Sequence, residues 1–465
     1  MKAGFARVDI TPPLGTFISG YYQDRFAKAV LDPLQINMLA FATGESKALV
    51  AQIDTMALSD MVADKMLAAI TAATGIDRSA IILHASHTHD GGQLAMTTLD
   101  EEESKKSALG KCFATDRLYL AHTITRAVDA AKNALEDLKE AKLSIGFSKA
   151  ERISFGRRYL MKDGSVKTNP GTNNPEIVKP VGTADDTVQV LRIDRENAKP
   201  IAVINFQTHP DVVGGETITA DWPGLTRTVF EAATLQGCHC LVLNGTQGDV
   251  NHCNVLPRPG ELNGLKRDFD DVDRGYVHAQ HMANVLAASA LNVWLKCEPV
   301  KSDTLKFAVK TVRVPAQKAK ESDEKNLAWA TKSWQLHEAG RDEEVSKEYG
   351  WTGMELTTEV ARAGRIVKMS EHDDYHEVPL YGVAVGEVAF GGFPGEPFNE
   401  IGIAIRKASP FKLTMLSCIT NGYIGYFPNA ESFVQGGYES ATSPFGPTVA
   451  DDLIGGMSSL FSELK

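Results

Sequence analysis

The apolar run Ile81-Ile82-Leu83-His84-Ala85 leads straight into Ser86-His87-Thr88-His89-Asp90-Gly91-Gly92. A segment typical of a buried strand thus ends in histidines and an acid. On extended backbone, alternate side chains share a face, so His87 and His89 are expected on one side and His84 on the other. Two imidazoles converging at the exit of a core strand can bind a metal together, or one can ligate while the other moves protons. A solvated, purely structural strand end is the competing reading of such a pair.

Further along, the same kinds of residue recur at strand exits. Thr208-His209-Pro210 closes the apolar run Ile201–Phe206, a position where α/β proteins build their sites. Gly391-Gly392-Phe393-Pro394-Gly395-Glu396-Pro397 presents one carboxylate from a tight turn, and the alternative is a first-turn acid facing a helix dipole. In Asn421–Pro428 and Gly436–Glu439 glycines flank Tyr423, Tyr426 and Tyr438, which lets the backbone come close while a phenol points inward. Gly245-Thr246-Gln247-Gly248-Asp249-Val250-Asn251 offers amides that could cradle an oxyanion, but lacks the Lys and Ser/Thr of a phosphate loop. Asp54 and Asp221 are candidates to brace the site or cap a helix. Cys238-His239-Cys240 with His252-Cys253 could in principle hold a structural zinc. Cys240, however, opens the apolar run Cys240–Leu243 and reads better as a small core hydrophobe. His122, His278, His281, His337, His372 and His376 fall in helical or charged surface segments, with His372–His376 a candidate rim for an entrance.

The elements that must position these residues alternate. Strand patterns cover Leu34–Phe41, Ala48–Ile53, Ala80–His84, Lys142–Gly146, Thr187–Ile193, Ile201–Phe206 and Cys240–Leu243. Between them Asp60–Ala73, Asp116–Leu138, Pro223–Thr234 and Arg274–Leu295 have helical spacing. The pair Thr187–Ile193 and Ile201–Phe206 reads as an antiparallel hairpin, so the sheet is mixed. Strand patterns return at Leu380–Val385, Val388–Phe390 and Leu413–Ile419. The predicted class is α/β, with layered mixed β-sheets flanked by helices. Residues 317–371, rich in Lys, Glu and Ala, read as a helical insertion within a single domain spanning 1–465.

Composition narrows the function. The 465 residues are 43% hydrophobic and 23% charged, ordinary for a globular chain with a sizeable core. A net charge of −11 argues against a nucleic-acid partner or an anionic membrane surface. No apolar run is long enough to span a bilayer, and the start lacks the charged and apolar regions of a signal peptide. The six cysteines are scattered without a disulfide-framework spacing. These observations predict a cytoplasmic protein and leave its oligomeric state open.

Taken in order, these motifs resemble the neutral/alkaline (non-lysosomal) ceramidase family of zinc amidases. The entry Asp9-Ile10-Thr11-Pro12-Pro13-Leu14-Gly15 with Gly20-Tyr21 looks like that family's N-terminus. His87-Thr88-His89, the His209 segment, the Gly-Asp loop ending at Asn251, the Gly395-Glu396 turn and the Tyr426 and Tyr438-Glu439 segments follow in the family's order. The resemblance runs from residue 3 to about residue 445. It implies one zinc ligated by His87, His209, Glu396 and Tyr426, with His89, Tyr438 and Arg157 around the scissile carbonyl. Gly156-Arg157-Arg158 leaves Arg158 as a competitor for the last role. Asp90 stands where the family commonly has Ser, and the resemblance is expected to stop before the family's C-terminal β-sandwich. These departures shift the expected substrate from ceramide to a smaller or soluble N-acyl compound.

The implied chemistry is attack on an amide by zinc-activated water, since zinc lowers the pKa of bound water to about 7 and polarises the carbonyl. His89 and Tyr438 would stabilise the oxyanion and His89 would protonate the leaving group. Arg157 would orient the acyl oxygen. A lactonase or esterase using the same site is the alternative within enzymes, and a non-catalytic carbohydrate- or lipid-binding protein is the alternative outside them.

Overall fold

The protein, seen here as a computed structural model, is described over residues 1–105, 110–234, 237–262, 264–317, 327–368 and 374–465. Its nine-stranded sheet is built from β1 (Lys2–Asp9), β2 (Gln35–Thr43), β3 (Ser46–Ile53), β4 (Ile81–Ala85), β5 (Lys139–Lys149), β6 (Thr187–Arg195), β7 (Ile201–Phe206), β8 (His239–Asn244) and β9 (Glu298–Val300). The order is β8-β7-β6-β5-β1-β2-β3-β4, with β9 also on β5. The continuous apolar runs fall at the two ends, where β3 pairs β4 and β7 pairs β8 in parallel. Strands covered on both faces are expected to read that way. The hairpin β6–β7 is antiparallel, with Gln189 opposite Asn205 and Ile193 opposite Ile201, as the sequence pattern predicts.

A second, four-stranded sheet follows, in the order β10 (Leu305–Pro315), β11 (Tyr375–Val385), β12 (Val388–Gly392) and β13 (Leu413–Ser417), with β12 and β13 parallel. The chain leaving β13 fills the gap between the two edge strands of the first sheet. Cys418 N–H donates to Asn244 O at 3.0 Å, Ala85 N–H donates to Ile419 O at 3.0 Å, and Asn421 N–H donates to Leu83 O at 3.0 Å. His84 ties the same seam, accepting Asn244 N–H on Nε2 at 3.0 Å while Nδ1 meets Cys418 O at 2.7 Å. Burial pushes its pKa down to about 4. His84 is a structural cross-tie. The consequence for the site is directional: β4 and β8 end at this seam, β7 ends beside β8 and β12 beside β13, and the loops that follow converge.

Helices cover both layers. α1 (Asp60–Thr74) starts at Ser59, whose hydroxyl accepts Val62 N–H, and buries Val62, Ala63, Met66, Leu67 and Ile70. Each large aliphatic side chain buried this way contributes about 1.5–3 kcal/mol, as an upper estimate. α2 (Ala114–Glu136) lies beside it, while α3 (Asp221–Ala233) and α4 (Tyr276–Trp294) pack together behind β8 and β6. The stretch read as an insertion holds α5 (Leu327–Glu338), α6 (Asp342–Tyr349) and α7 (Gly353–Lys368), and α5 and α7 share a small core of Ala330, Ala363 and Ile366. α8 (Asn399–Ala408) and α9 (Val449–Leu464) cover the second sheet. His372 and Asp373 of the candidate entrance lie outside the described residues. Among the described residues no helix is long and apolar enough to cross a membrane.

Candidate functional site

β4 ends at Ala85, so His87 and His89 do not sit on extended strand. His87 has φ of +72°, a left-handed conformation that costs a non-glycine residue free energy unless its surroundings enforce it. They do: its N–H donates to Thr55 O at 2.9 Å and its Nδ1 meets Met56 O at 2.7 Å. The two histidines therefore do face one side, but through a turn locked onto the loop after β3 rather than through strand alternation. The Nδ1 contact assigns the Nδ1–H tautomer to His87, leaving the Nε2 lone pair pointing into the site.

His209, in the loop after β7, completes a triangle. The Nε2 atoms of His87, His89 and His209 lie 3.1 Å (His87–His209), 3.2 Å (His89–His209) and 3.3 Å (His87–His89) apart, all buried. A tetrahedral ion with bonds of about 2.0–2.1 Å sets its ligand atoms about 3.3 Å apart. Burial, ahead of all other influences, pushes His89 down to about 3 and His209 well below the ordinary imidazole range. Neutral imidazoles with converging lone pairs repel one another and suit a divalent cation between them. The geometry fits a metal.

Glu396 stands at the edge of this triangle, its Oε2 3.4 Å from His87 Nε2 and 3.7 Å from His209 Nδ1. Gln247 donates to Oε2 at 3.1 Å and the Tyr423 hydroxyl donates to Oε1 at 2.8 Å. Burial works to raise the pKa of Glu396, yet it lies below the ordinary carboxylate range, the Arg157 guanidinium and the Tyr423 hydroxyl favouring the ionised form. A two-residue parallel ladder pairs Glu396 with Tyr426 and Pro397 with Phe427, which sets the acid and the phenol side by side. Glu396 N–H donates to Gly425 O at 2.9 Å to fix that register. Among the described residues no ion-pair contact within 4.0 Å joins His89 to Glu396, and the nearest carboxylate contact of His89 is instead Asp211 at 3.9 Å.

The arginines share Glu439, Arg158 Nε lying 3.6 Å from its Oε2, but otherwise part. Arg157 donates through Nε to Glu439 at 2.7 Å and through Nη2 to Gly248 O at 2.8 Å; its Nη1 lies 3.4 Å from His209 Nδ1 and the guanidinium covers the Tyr426 ring at 5.4 Å. Arg158 turns away, donating to Ser432 Oγ at 2.6 Å and Gly436 O at 2.8 Å. Tyr438 packs its ring 5.7 Å from that of Tyr426 and places its hydroxyl 3.4 Å from the Tyr22 hydroxyl.

Other candidates prove to be braces. Asp90 pairs with Arg25 at 2.9 Å, and Arg25 also donates to the carbonyls of Gly215, Ser19 and His89, which fastens the histidine turn. Asp221 accepts the N–H groups of Val212 and Val213 at 2.9 and 3.1 Å, holding the loop after His209. Asp54 pairs with Arg227 at 2.8 Å. In the Gly245–Asn251 loop the Gly248 N–H is spent on Pro397 O at 2.9 Å, while Gln247 holds Glu396 and the Gly248 carbonyl holds Arg157. Cys238 and Cys240 are buried and His239 stacks on Phe5, with no metal cluster there among the described residues.

Residues given no site role from sequence surround His89. Its Nδ1 has no hydrogen-bond partner and lies 3.9 Å from Asp211 Oδ1. Asp211 is gripped by Arg274 at 2.9 and 2.8 Å and receives the Tyr21 hydroxyl, and Arg274 keeps it ionised although burial opposes this. Gly20, at φ of +128°, lies against the His89 ring so closely that a Cβ there would come within 2.9 Å of Nδ1. The Gly20-Tyr21 pair thus needs glycine for contact and tyrosine for Asp211.

The fold is a layered mixed α/β architecture with a metal-competent histidine site at the carboxyl ends of its parallel strands. Neutral ceramidase from Pseudomonas aeruginosa has the same architecture, with a TM-score of 0.71 at 16% identity over 100% of this chain and 74% of that one. A ceramidase complexed with C2 matches with a TM-score of 0.70 at 14% identity, over 100% of this chain and 75% of its own. No family model and no curated protein sequence matches the chain. The chain has the fold of neutral ceramidase.

Proposed function

We propose that the protein is a zinc-dependent hydrolase that cleaves an amide (N-acyl) bond with metal-activated water, in one catalytic domain carrying residues 317–371 as an insertion. The observation that carries this reading is the buried convergence of the His87, His89 and His209 Nε2 atoms within 3.3 Å of one another, beside an ionised Glu396. The fold shared with two ceramidases supports it.

His87, His209, Glu396 and Tyr426 would hold the ion, a nitrogen-and-oxygen donor set that suits zinc. Zinc bound there supplies a water ionised near neutral pH and a Lewis acid for the carbonyl. His89 is assigned the proton work because its Nδ1 is unbonded, so its ring lacks the fixed outer partner that ligating histidines almost always have. It takes a proton during attack and returns it to the leaving nitrogen. The Tyr438 hydroxyl donates to the developing oxyanion. Arg157, anchored by Glu439 and Gly248, directs the acyl oxygen. The triangle of nitrogens also supports a second ligand set, His87, His89 and His209, in which His89 binds the ion itself.

Metal analysis and a substrate panel test the reading together. The purified protein should carry zinc at roughly one per chain, hydrolyse N-acyl compounds, and lose both in His87→Ala. Zinc-free protein that is inactive after zinc is restored would overturn it, and a preference for esters or lactones would move the reaction to C–O bonds.

A further inference from the structure

The helices α5 and α7 reach the site. A cleft of 610 Å³ runs outward from it, lined by Tyr22, Tyr423, Tyr426 and Tyr438 at its inner end and by Trp334 and Lys368 farther out. Its inner end touches the machinery directly, since the Tyr423 hydroxyl donates to Glu396 at 2.8 Å. Ile424 and Pro444 continue its apolar surface. Trp334 is a fixed wall: a Cβ on Gly364 of α7 would come within 2.4 Å of the indole, so only glycine allows α7 to back the ring this closely.

The charge of the cleft runs against the charge of the chain. The protein carries −11 overall, yet among the described lining residues the only formally charged ones are Arg365 and Lys368. Arg365 is steadied by donating Nε to Ala441 O, and the exposed Lys368 hangs its ammonium 5.2 Å over the Trp334 ring. An apolar trough that starts at a candidate catalytic centre and ends at the exposed Lys368 ammonium matches an amphipathic ligand with one negative end.

We propose that this cleft selects an N-acyl substrate bearing an oxyanion, with the apolar body along Trp334 and the anion at Lys368. This rests on the hydrolase reading above. The reaction is then hydrolysis of, for example, an N-acyl amino acid: water's oxygen joins the acyl carbon, the C–N bond breaks, and the nitrogen leaves as an amine with the proton. Products are a carboxylic acid and a free amino acid.

The test compares N-lauroylglycine with the neutral N-lauroylglycinamide on the zinc-loaded protein, and N-lauroyl phosphoethanolamine as a phosphate-bearing arm. The anionic substrates should show kcat/KM about fivefold higher through KM, a size expected of exposed ion pairs, and the preference should shrink in high salt. Lys368→Glu should erase or invert the ratio, and Trp334→Ala should raise KM for charged and neutral substrates alike. Calorimetric binding of N-lauroylglycine and its amide reads the same preference without turnover. Equal binding of the two, or an unchanged ratio in Lys368→Glu, overturns the inference. Failure to hydrolyse any of them with the binding preference intact would instead sink the hydrolase reading alone.

Discussion

Two histidine clusters in this protein have nearly the same composition and quite different prospects. His87, His89 and His209 meet with ring centroids 4.6 to 5.1 Å apart and their Nε2 atoms turned toward a common point. His252, His278 and His281 lie in a chain with centroids 5.8 and 5.9 Å apart, and Cys253 adds a thiol, yet their nitrogens do not converge. His252 Nε2 is already committed to Asp273 O at 2.7 Å. Burial pushes the Cys253 thiol far above its usual range, away from the thiolate that a metal needs. Ligand type alone does not make a site; what counts is which ring nitrogen the surrounding backbone has already claimed. At His87 the backbone claims Nδ1 and frees Nε2. At His252 it does the reverse and leaves a buried Nδ1 with no partner.

The largest effect that would sharpen this contrast is loss of metal in His87→Ala and His209→Ala, with activity at background, while His278→Ala keeps its metal. Elemental analysis of the three purified variants measures it, and comparable loss in His278→Ala would break the comparison. Next in size is His89→Ala, which should retain zinc and lose about 10²–10⁴-fold in kcat, the range for a lost acid–base group. Zinc loss there would instead place His89 in the ligand set. Tyr423→Phe removes the hydrogen bond on Glu396 and should weaken zinc binding about 10–100-fold in a chelator competition. The smallest effect belongs to the second cluster: Cys253→Ser should change zinc content not at all and kcat/KM by less than about twofold, as expected of a substitution outside the site.

Much of this was legible in the sequence. The strand runs, the β6–β7 hairpin and the helical stretch after residue 326 all show in periodicity, because burial on one or both faces imposes it. His87, His89, His209 and Glu396 were visible because each follows an apolar run that ends abruptly. The reason given for the first pair was wrong in mechanism: strand alternation predicts a shared face, whereas a left-handed His87 produces it. Strand β1 and helix α9 left no mark on that reading, although both are strongly amphipathic or apolar. Gln247 and Asp211 were missed as site residues, and the role of the candidate phenol Tyr423 on Glu396 was not seen, for a different reason. Each acts through a partner far away in sequence, and no local pattern encodes a hydrogen bond spanning 149 positions, as between Gln247 and Glu396. Tyr423 itself stood out in the sequence through its neighbours Gly422 and Gly425, both at positive φ.

The most direct test of the central claim is anomalous diffraction from crystals of the zinc-loaded protein. The account predicts a single ion about 2.0–2.1 Å from the Nε2 atoms of His87 and His209 and within bonding distance of Glu396. An ion lodged at His252 and His278, or no ion at the His87–His209 pair when zinc is saturating, would contradict it.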